Sequence, residues 1–159
     1  MQTFIRYCAV IERKKRHTVK NTVIYTSKRR IVFLGDTVEG KRHDKQLAED
    51  DAPPFPEKSR VGTDSGYQGY HPPGVTVTLP VKKPRGGELT ADEKAVNRRF
   101  SHFRVIVEHA LCGMKINRIT HNVFRGRKPG FADQSILVSV GLHNFRCDQR
   151  AKTQSLQAA

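Results

Sequence analysis

Two acidic residues, Asp64 and Glu108, stand where a carboxylate could take part in chemistry. Asp64 ends a short apolar run that begins at Arg60 and reads as a buried strand, and it opens the glycine-rich segment DSGYQGYHPPG. Ligands and catalytic groups collect where strands end in open α/β sheets. The alternative is that Asp64 only caps the turn through its side chain, as aspartates commonly do.

Glu108 lies on a predicted helix whose start is well marked. Thr90 and Glu93 have the spacing of a capping box, and a helical pattern runs from about Ala91 to Cys112, with Gly113 as a terminator or a tolerated weak point. At 100° per residue this helix has two stripes. The core stripe consists of Phe100, Phe103, Val107, Ala110 and Met114, and the polar stripe beside it consists of Asn97, Ser101, Arg104, Glu108 and Lys115.

The polar stripe has two interpretations. Arg104 and Glu108 are four residues apart, so they can pair along an ordinary solvated helix face for a few tenths of a kcal/mol. The stripe, however, borders the core stripe instead of opposing it. That placement puts Glu108 where a helix meets a sheet edge.

The charge of the chain suggests what such carboxylates would act on. Among 159 residues, 29 are Lys or Arg and 15 are Asp or Glu, a formal charge of +14. This excess attracts polyanions, and nucleic acid is the default partner, bound largely through counterion release. In a chain that binds nucleic acid, two or three carboxylates can hold Mg²⁺ ions that act on a phosphodiester.

The remaining pattern predicts an α/β or α+β sheet covered by helices. Strands are predicted at Thr3–Ile11, in HTVKNTVIYTS, in IVFLGD and at Val75–Leu79, with a short helix in HDKQLAEDD. VKKPRGGE reads as a basic linker, and a last helix is predicted from Ala132 to Arg146, followed by a frayed tail. Cys8, Cys112 and Cys147 form no CxxC pair, which favours neither a disulfide framework nor a zinc site.

At these residues the sequence resembles the DDE-type transposases of the insertion-sequence-five and Harbinger-like group. The similar stretches are KKRHTVKNTVIYTSKRRIVFLGDTVEGKRHDKQLAED, DSGYQGYHPPGVTVTLPVKKPRGGELTADEKAVNRRFSHFRVIVEH and GLHNFR. The most specific motif is Tyr, two residues, Arg, three residues, Glu, six residues, Lys. Arg104, Glu108 and Lys115 fit this spacing, and Ser101 stands at the tyrosine position.

The resemblance implies a ribonuclease-H-like mixed sheet flanked by helices, and cleavage and strand transfer at the ends of a mobile element. It implies a two-metal site with Mg²⁺ or Mn²⁺, in which Asp64 and Glu108 are catalytic residues and metal ligands. Arg104 and Lys115 would contact DNA phosphates or orient the site. Lys82, Lys83 and Arg85 would add DNA contacts from the basic linker, and His43, Asp44 and Asn97 would support the site, with a helix cap as the alternative for Asp44.

One departure concerns the family's first catalytic aspartate, which precedes the segment similar to KKRHTVKN. No aspartate lies before Lys14. We therefore expect a truncated or frame-shifted chain with a divergent segment 1–13, a catalytic-domain part 14–148, a flexible tail 149–159 and a sheet incomplete at its first strand. Activity would be impaired, and the alternative is a non-catalytic DNA-binding remnant.

The implied partners and location complete the expectations. DNA, as element ends and as target, is the main partner, beside a homodimer and the product of an upstream reading frame that would supply the first aspartate. No apolar stretch approaches the roughly 20 residues that a membrane span needs. We expect a cytoplasmic, nucleoid-associated protein without a membrane partner.

Overall fold

A mixed β-sheet forms the centre of the fold. The structure is a computed structural model that describes the backbone of residues 2–10 and all atoms of residues 19–120 and 128–157. The strands are β1 (Gln2–Val10), β2 (Val19–Thr26), β3 (Ile31–Leu34), β4 (Val38–Glu39), β5 (Arg60–Gly62) and β6 (Thr76–Thr78). The helices are α1 (Asp44–Asp51), α2 (Ala91–Lys115) and α3 (Phe131–Gln157).

The strand order is β3-β2-β1-β5-β6, with β4 paired to β2. Strand β1 is antiparallel to β2 from Thr3↔Thr26 to Val10↔Val19 and parallel to β5 from Gln2↔Arg60 to Phe4↔Gly62. Strand β1 therefore occupies the middle of the sheet. The expectation of a sheet incomplete at its first strand is wrong, because a strand without any acidic residue holds that place.

Successive side chains of a strand point to opposite sides of the sheet. Consecutive side chains of β2 are buried, so this strand is covered on both faces. Val23 and Tyr25 pack with helices α2 and α3, whereas Ile24 packs on the other side with Ala48 of α1 and Val61 of β5. The sheet thus separates two apolar clusters. The long helices cover one face, and α1 with its neighbouring loops covers the other.

Helix α2 confirms the predicted start and the core stripe. Thr90 Oγ1 accepts the N–H of Glu93 at 3.3 Å, and the Glu93 carboxylate accepts the N–H of Thr90 at 2.8 Å. Four residues of the predicted core stripe are buried and Phe103 is partly buried. The helix ends at Lys115, so Gly113 does not terminate it.

The reason for Gly113 is its neighbour on α3. A methyl group at this position would come within 2.5 Å of Nδ1 of His143. Glycine therefore allows the two long helices to approach closely, and Arg146 donates to the Gly113 carbonyl oxygen across the contact.

Helix α3 is longer than predicted. It starts one residue earlier, at Phe131, and continues to Gln157, so the prediction of a helix end at Arg146 is wrong. The side chains from Gln149 to Gln157 are all exposed, which is why no apolar periodicity marks this extension in the sequence. The predicted tail is helical as far as the structure describes it.

Candidate active site

Asp64 lies two residues beyond the end of β5. The N–H of Thr63 donates to the carbonyl oxygen of Thr78 at 3.0 Å, which ties the end of this segment to the adjacent strand β6. Asp64 then caps a short 3₁₀ turn at Ser65–Tyr67, with Oδ1 accepting the N–H of Ser65 at 3.3 Å. Asp64 thus caps this turn, and its carboxylate remains at the surface.

Arg104 brings the two sequence-predicted carboxylates together. Its Nη1 lies 3.8 Å from Oδ1 of Asp64, and its Nη2 lies 3.9 Å from Oε1 of Glu108. The first contact joins α2 to the loop after β5, and the second runs along α2 between residues four apart. One guanidinium therefore stands between an acid from the sheet edge and an acid from the helix.

The site is open to solvent. The side chains of Asp64, Arg104 and Glu108 are 37%, 46% and 50% exposed. Ion pairs at this exposure and distance contribute little to stability, so they do not by themselves explain why three charged groups converge. The convergence places a cation between two carboxylates, in an arrangement that another cation could share.

Asn97 has a structural role beside this site. Its Oδ1 accepts the N–H of Val81 at 2.9 Å, and its Nδ2 donates to the Val81 carbonyl oxygen at 3.0 Å. Asn97 therefore fastens the start of the basic linker to α2. Lys82 is exposed and donates to Oε1 of Gln68 at 3.0 Å, which ties the linker to the loop that follows Asp64.

The other predicted DNA-contacting residues have different settings. Lys83 and Arg85 are exposed on the linker, and Lys115 is half-buried in the last turn of α2. The linker is thus brought to the site by Asn97 and Gln68. Lys115 lies two turns of helix beyond Glu108.

His43 and Asp44 begin α1. His43 occupies the N-cap position and makes no side-chain capping hydrogen bond, and Asp44 is the first residue of the helix, so Asp44 is not the N-cap residue. Asp44 Oδ1 accepts from Nζ of Lys20 on β2 at 3.0 Å. A methyl group on Gly66 would lie 2.7 Å from Asp44 Oδ2. Asp44 therefore packs directly against the loop that begins at Asp64.

Sequence reasoning missed the partners Lys20, Gly66 and Gln68. Each acts on a residue far away in the chain, so no local spacing indicates the contact. The only sequence signal is the glycine at position 66, which follows Asp64 closely in a loop.

Comparison with known proteins assigns the chain to a family. A model of the DDE superfamily endonucleases matches residues 5–144 of the chain. The chain belongs to the DDE superfamily of endonucleases. It is also 33% identical over 136 residues to a protein described as a probable transposase for insertion sequence element IS702 from Microchaete diplosiphon.

That alignment includes 85% of this chain and 49% of the transposase, so the chain spans about half the length of the curated relative it matches. No solved structure gives a significant match. Within the described residues, no helix is long and apolar enough to cross a membrane. The family assignment thus rests on the family model and the related transposase.

DDE superfamily endonucleases generally use divalent metal ions, and the site fits such an ion only in part. Asp64 and Glu108 are oxygen donors of the kind that Mg²⁺ prefers, and both already face a cation. Among the residues with described side chains, however, no group of three or more potential ligands converges. These two carboxylates alone would provide an open, weak metal site.

Proposed function

We propose that this chain is the catalytic-domain part of an insertion-sequence transposase. Asp64 and Glu108 would be the catalytic residues with which it cleaves and joins DNA. The observation that carries the proposal is the contact of both carboxylates with Arg104, in a chain that belongs to the DDE endonucleases. Two acids from separate elements would need to meet in this way to share a metal ion. The insertion-sequence-five and Harbinger-like group remains our assignment of the subgroup.

The fold and the cofactor form part of the same proposal. A mixed sheet with β1 at its centre and long helices on one face supports a ribonuclease-H-like domain. Mg²⁺ or Mn²⁺ would be held by Asp64 and Glu108, and in a two-metal site the ions would activate the attacking oxygen and stabilise the leaving oxygen of the phosphodiester.

The positive residues around the acids define how DNA would be held. Arg104 would contact a phosphate next to the carboxylates, and Lys82, Lys83 and Arg85 would contact the backbone from the linker. Lys115 would extend the contacts along α2. DNA ends and target DNA are the proposed partners, together with a second copy of the chain, in the cytoplasm at the nucleoid.

Impairment of the activity belongs to the proposal as well. The central strand β1, QTFIRYCAV, provides no carboxylate beside Asp64. A two-metal site needs its ligands held within a fraction of an ångström, and two carboxylates would hold metal weakly. An upstream frame product would restore the third ligand if its acidic strand took the central place that β1 occupies.

The absence of a carboxylate on β1 also supports the second candidate function, a DNA-binding remnant without catalysis. A nicking assay on supercoiled DNA that carries the element ends, with Mg²⁺ or Mn²⁺, separates the two. We expect slow cleavage that Glu108→Gln abolishes and Glu88→Gln, a change at another exposed glutamate, preserves. DNA binding without metal-dependent cleavage would reject the enzyme in favour of the remnant.

A further inference from the structure

A groove lies between the β2–β3 turn and the C-terminal extension of α3. Its volume is about 610 Å³. Its lining residues are Ser27, Lys28, Arg29, Cys147, Arg150, Ala151, Gln154 and Ser155. The turn and the helix extension are both exposed, so the groove opens to solvent.

The lining of the groove is positively charged. Lys28, Arg29 and Arg150 contribute three cations, and no acidic residue lines the groove. The neighbouring Arg30 is neutralised by its ion pair with Asp148. Ser27 and Gln154 add neutral hydrogen-bond donors, whereas the Ser155 hydroxyl already donates to the Ala151 carbonyl oxygen. This combination of several cations with neutral donors suits the oxygens of a phosphate backbone.

The two sides of the groove are fastened to each other. Nε2 of the buried His143 lies 2.8 Å from the carbonyl oxygen of Arg29. Asn144 accepts the N–H of Ile31 at 2.9 Å and donates to the Ile31 carbonyl oxygen at 2.8 Å. The backbone of the turn is therefore held against α3 by these hydrogen bonds before any ligand arrives.

The groove is separate from the carboxylate site. Thr26, just before the turn, pairs with Thr3 of β1, and Thr3 pairs on its other side with Val61 of β5. Strand β5 runs parallel to β1 and continues from Val61 towards Asp64. The turn extends beyond Thr26 in the opposite direction, so the groove and Asp64 lie on opposite sides of the row formed by Thr26, Thr3 and Val61.

We propose that this groove binds the phosphate backbone of duplex DNA at a distance from the carboxylates. The choice of DNA as the polyanion rests on the proposed function, whereas the groove itself rests on its charge and geometry. One duplex would contact the protein at two places, or two duplexes would each occupy one. The helical extension of α3 is thereby explained, since Arg150 lies on it.

Duplex binding measured by fluorescence anisotropy in EDTA, over a series of salt concentrations, tests the groove without any cleavage. The groove variant carries Lys28→Gln, Arg29→Gln and Arg150→Gln. The control carries Lys41→Gln, Lys58→Gln and Lys152→Gln, which removes the same charge elsewhere. Lys58 shares the positive φ of Arg29, 60° against 63°, and Lys152 lies on another face of the α3 extension.

We expect the groove variant to bind duplex DNA at least about tenfold more weakly than the control. The slope of log affinity against log salt should fall by about 2 to 3, since each lost phosphate contact removes about 0.9. Equal affinity and equal slope in the two variants would overturn the proposal that this groove binds DNA. If the wild-type chain bound no DNA, the proposed function itself would be contradicted, so the two failures are distinguishable.

A second variant guards against loss of the fold. Lys28→Gln with Arg150→Gln changes two exposed side chains and leaves Arg29, with its left-handed backbone, intact. We expect this variant to unfold at the wild-type temperature and to lose a slope of about 2. If this folded variant kept the wild-type slope of log affinity against log salt, the proposal that the groove binds DNA would also be overturned.

Discussion

Arg104 Nη1 lies 3.8 Å from Asp64 Oδ1, although the two residues belong to α2 and to the loop after β5. The same guanidinium faces Glu108 one helical turn further along. An arginine placed in this way faces both carboxylates in the absence of metal and offsets one of their two negative charges. It would have to yield part of this contact when a divalent ion arrives, or share the acids with it.

Replacing Arg104 tests this competition. In Arg104→Gln we expect Mn²⁺ to bind several-fold more tightly, because the cation that competes for both acids is gone. The free energy of unfolding should change by less than about 1 kcal/mol, since the pairs are exposed. Titration calorimetry measures the affinity, with Arg98→Gln on the same helix as the control. Weaker Mn²⁺ binding in Arg104→Gln would show that the guanidinium supports the metal site.

Replacing Asn97 tests how the basic linker is held. Asn97→Ala removes both hydrogen bonds to Val81, so we expect a loss of about 1 to 2 kcal/mol and faster tryptic cleavage after Lys82 and Arg85. Ser101→Ala, which removes only a hydrogen bond from the side chain to the Asn97 carbonyl oxygen, is the control. Unchanged proteolysis in Asn97→Ala would contradict the linker role.

The contact between Gly66 and Asp44 can be tested by a double-mutant cycle. Gly66→Ala would place a methyl group 2.7 Å from Asp44 Oδ2, and Asp44 is held in place by Lys20. We expect a loss of about 1 kcal/mol in urea unfolding, by overpacking. In an Asp44→Ala background the same change should have almost no effect. Equal losses in both backgrounds would show that the two residues do not interact.

His143 should make stability depend on pH. Burial, opposed by the hydrogen bond to the Arg29 carbonyl oxygen and reinforced by Arg146 and Arg150, lowers the pKa of His143 below its ordinary value of 6.5. The unfolded chain therefore takes up the proton more readily than the folded chain. The stability that neutral His143 contributes is fully present above pH 6.5 and is lost as the pH falls through the folded-state pKa of His143.

We expect the free energy of unfolding of the wild-type chain to fall more steeply with acidification below pH 6.5 than that of His143→Gln. His71→Gln, at an exposed histidine, should keep the wild-type pH dependence. Urea unfolding over a pH series makes the comparison. The same slope in His143→Gln and the wild-type chain would contradict the effect.

Local sequence patterns predicted the helix and strand that carry Glu108 and Asp64. They did not predict the contacts between residues far apart in the chain. The capping box at Thr90 and the two stripes of α2 were visible because helical spacing is a local property. The contact of Arg104 with Asp64 needed the pairing of β5 within the sheet, which no spacing reveals. The extension of α3 to Gln157 was missed because its polar residues have no apolar face.

Two features were identified only by resemblance or in the structure. The prediction that Asp64 and Glu108 act in a metal site came from the family resemblance, whose motif places Arg104, Glu108 and Lys115 at the expected spacing. The central place of β1 came from parallel pairing between residues distant in the chain, such as Thr3 and Val61. Two further basic segments of the sequence, RKKRH and most of FRGRK, lie outside the described residues.

The central claim, that Asp64 and Glu108 bind one metal ion together, is tested most directly by Mn²⁺ affinity in a double-mutant cycle. Asp64→Asn and Glu108→Gln should each weaken binding by about tenfold or more, and the double variant should bind little more weakly than either, since both residues serve one ion. Asp92→Asn, at an exposed aspartate of α2, should bind as the wild-type chain does. Unchanged affinity in both single variants, or losses that add in full, would contradict the shared site.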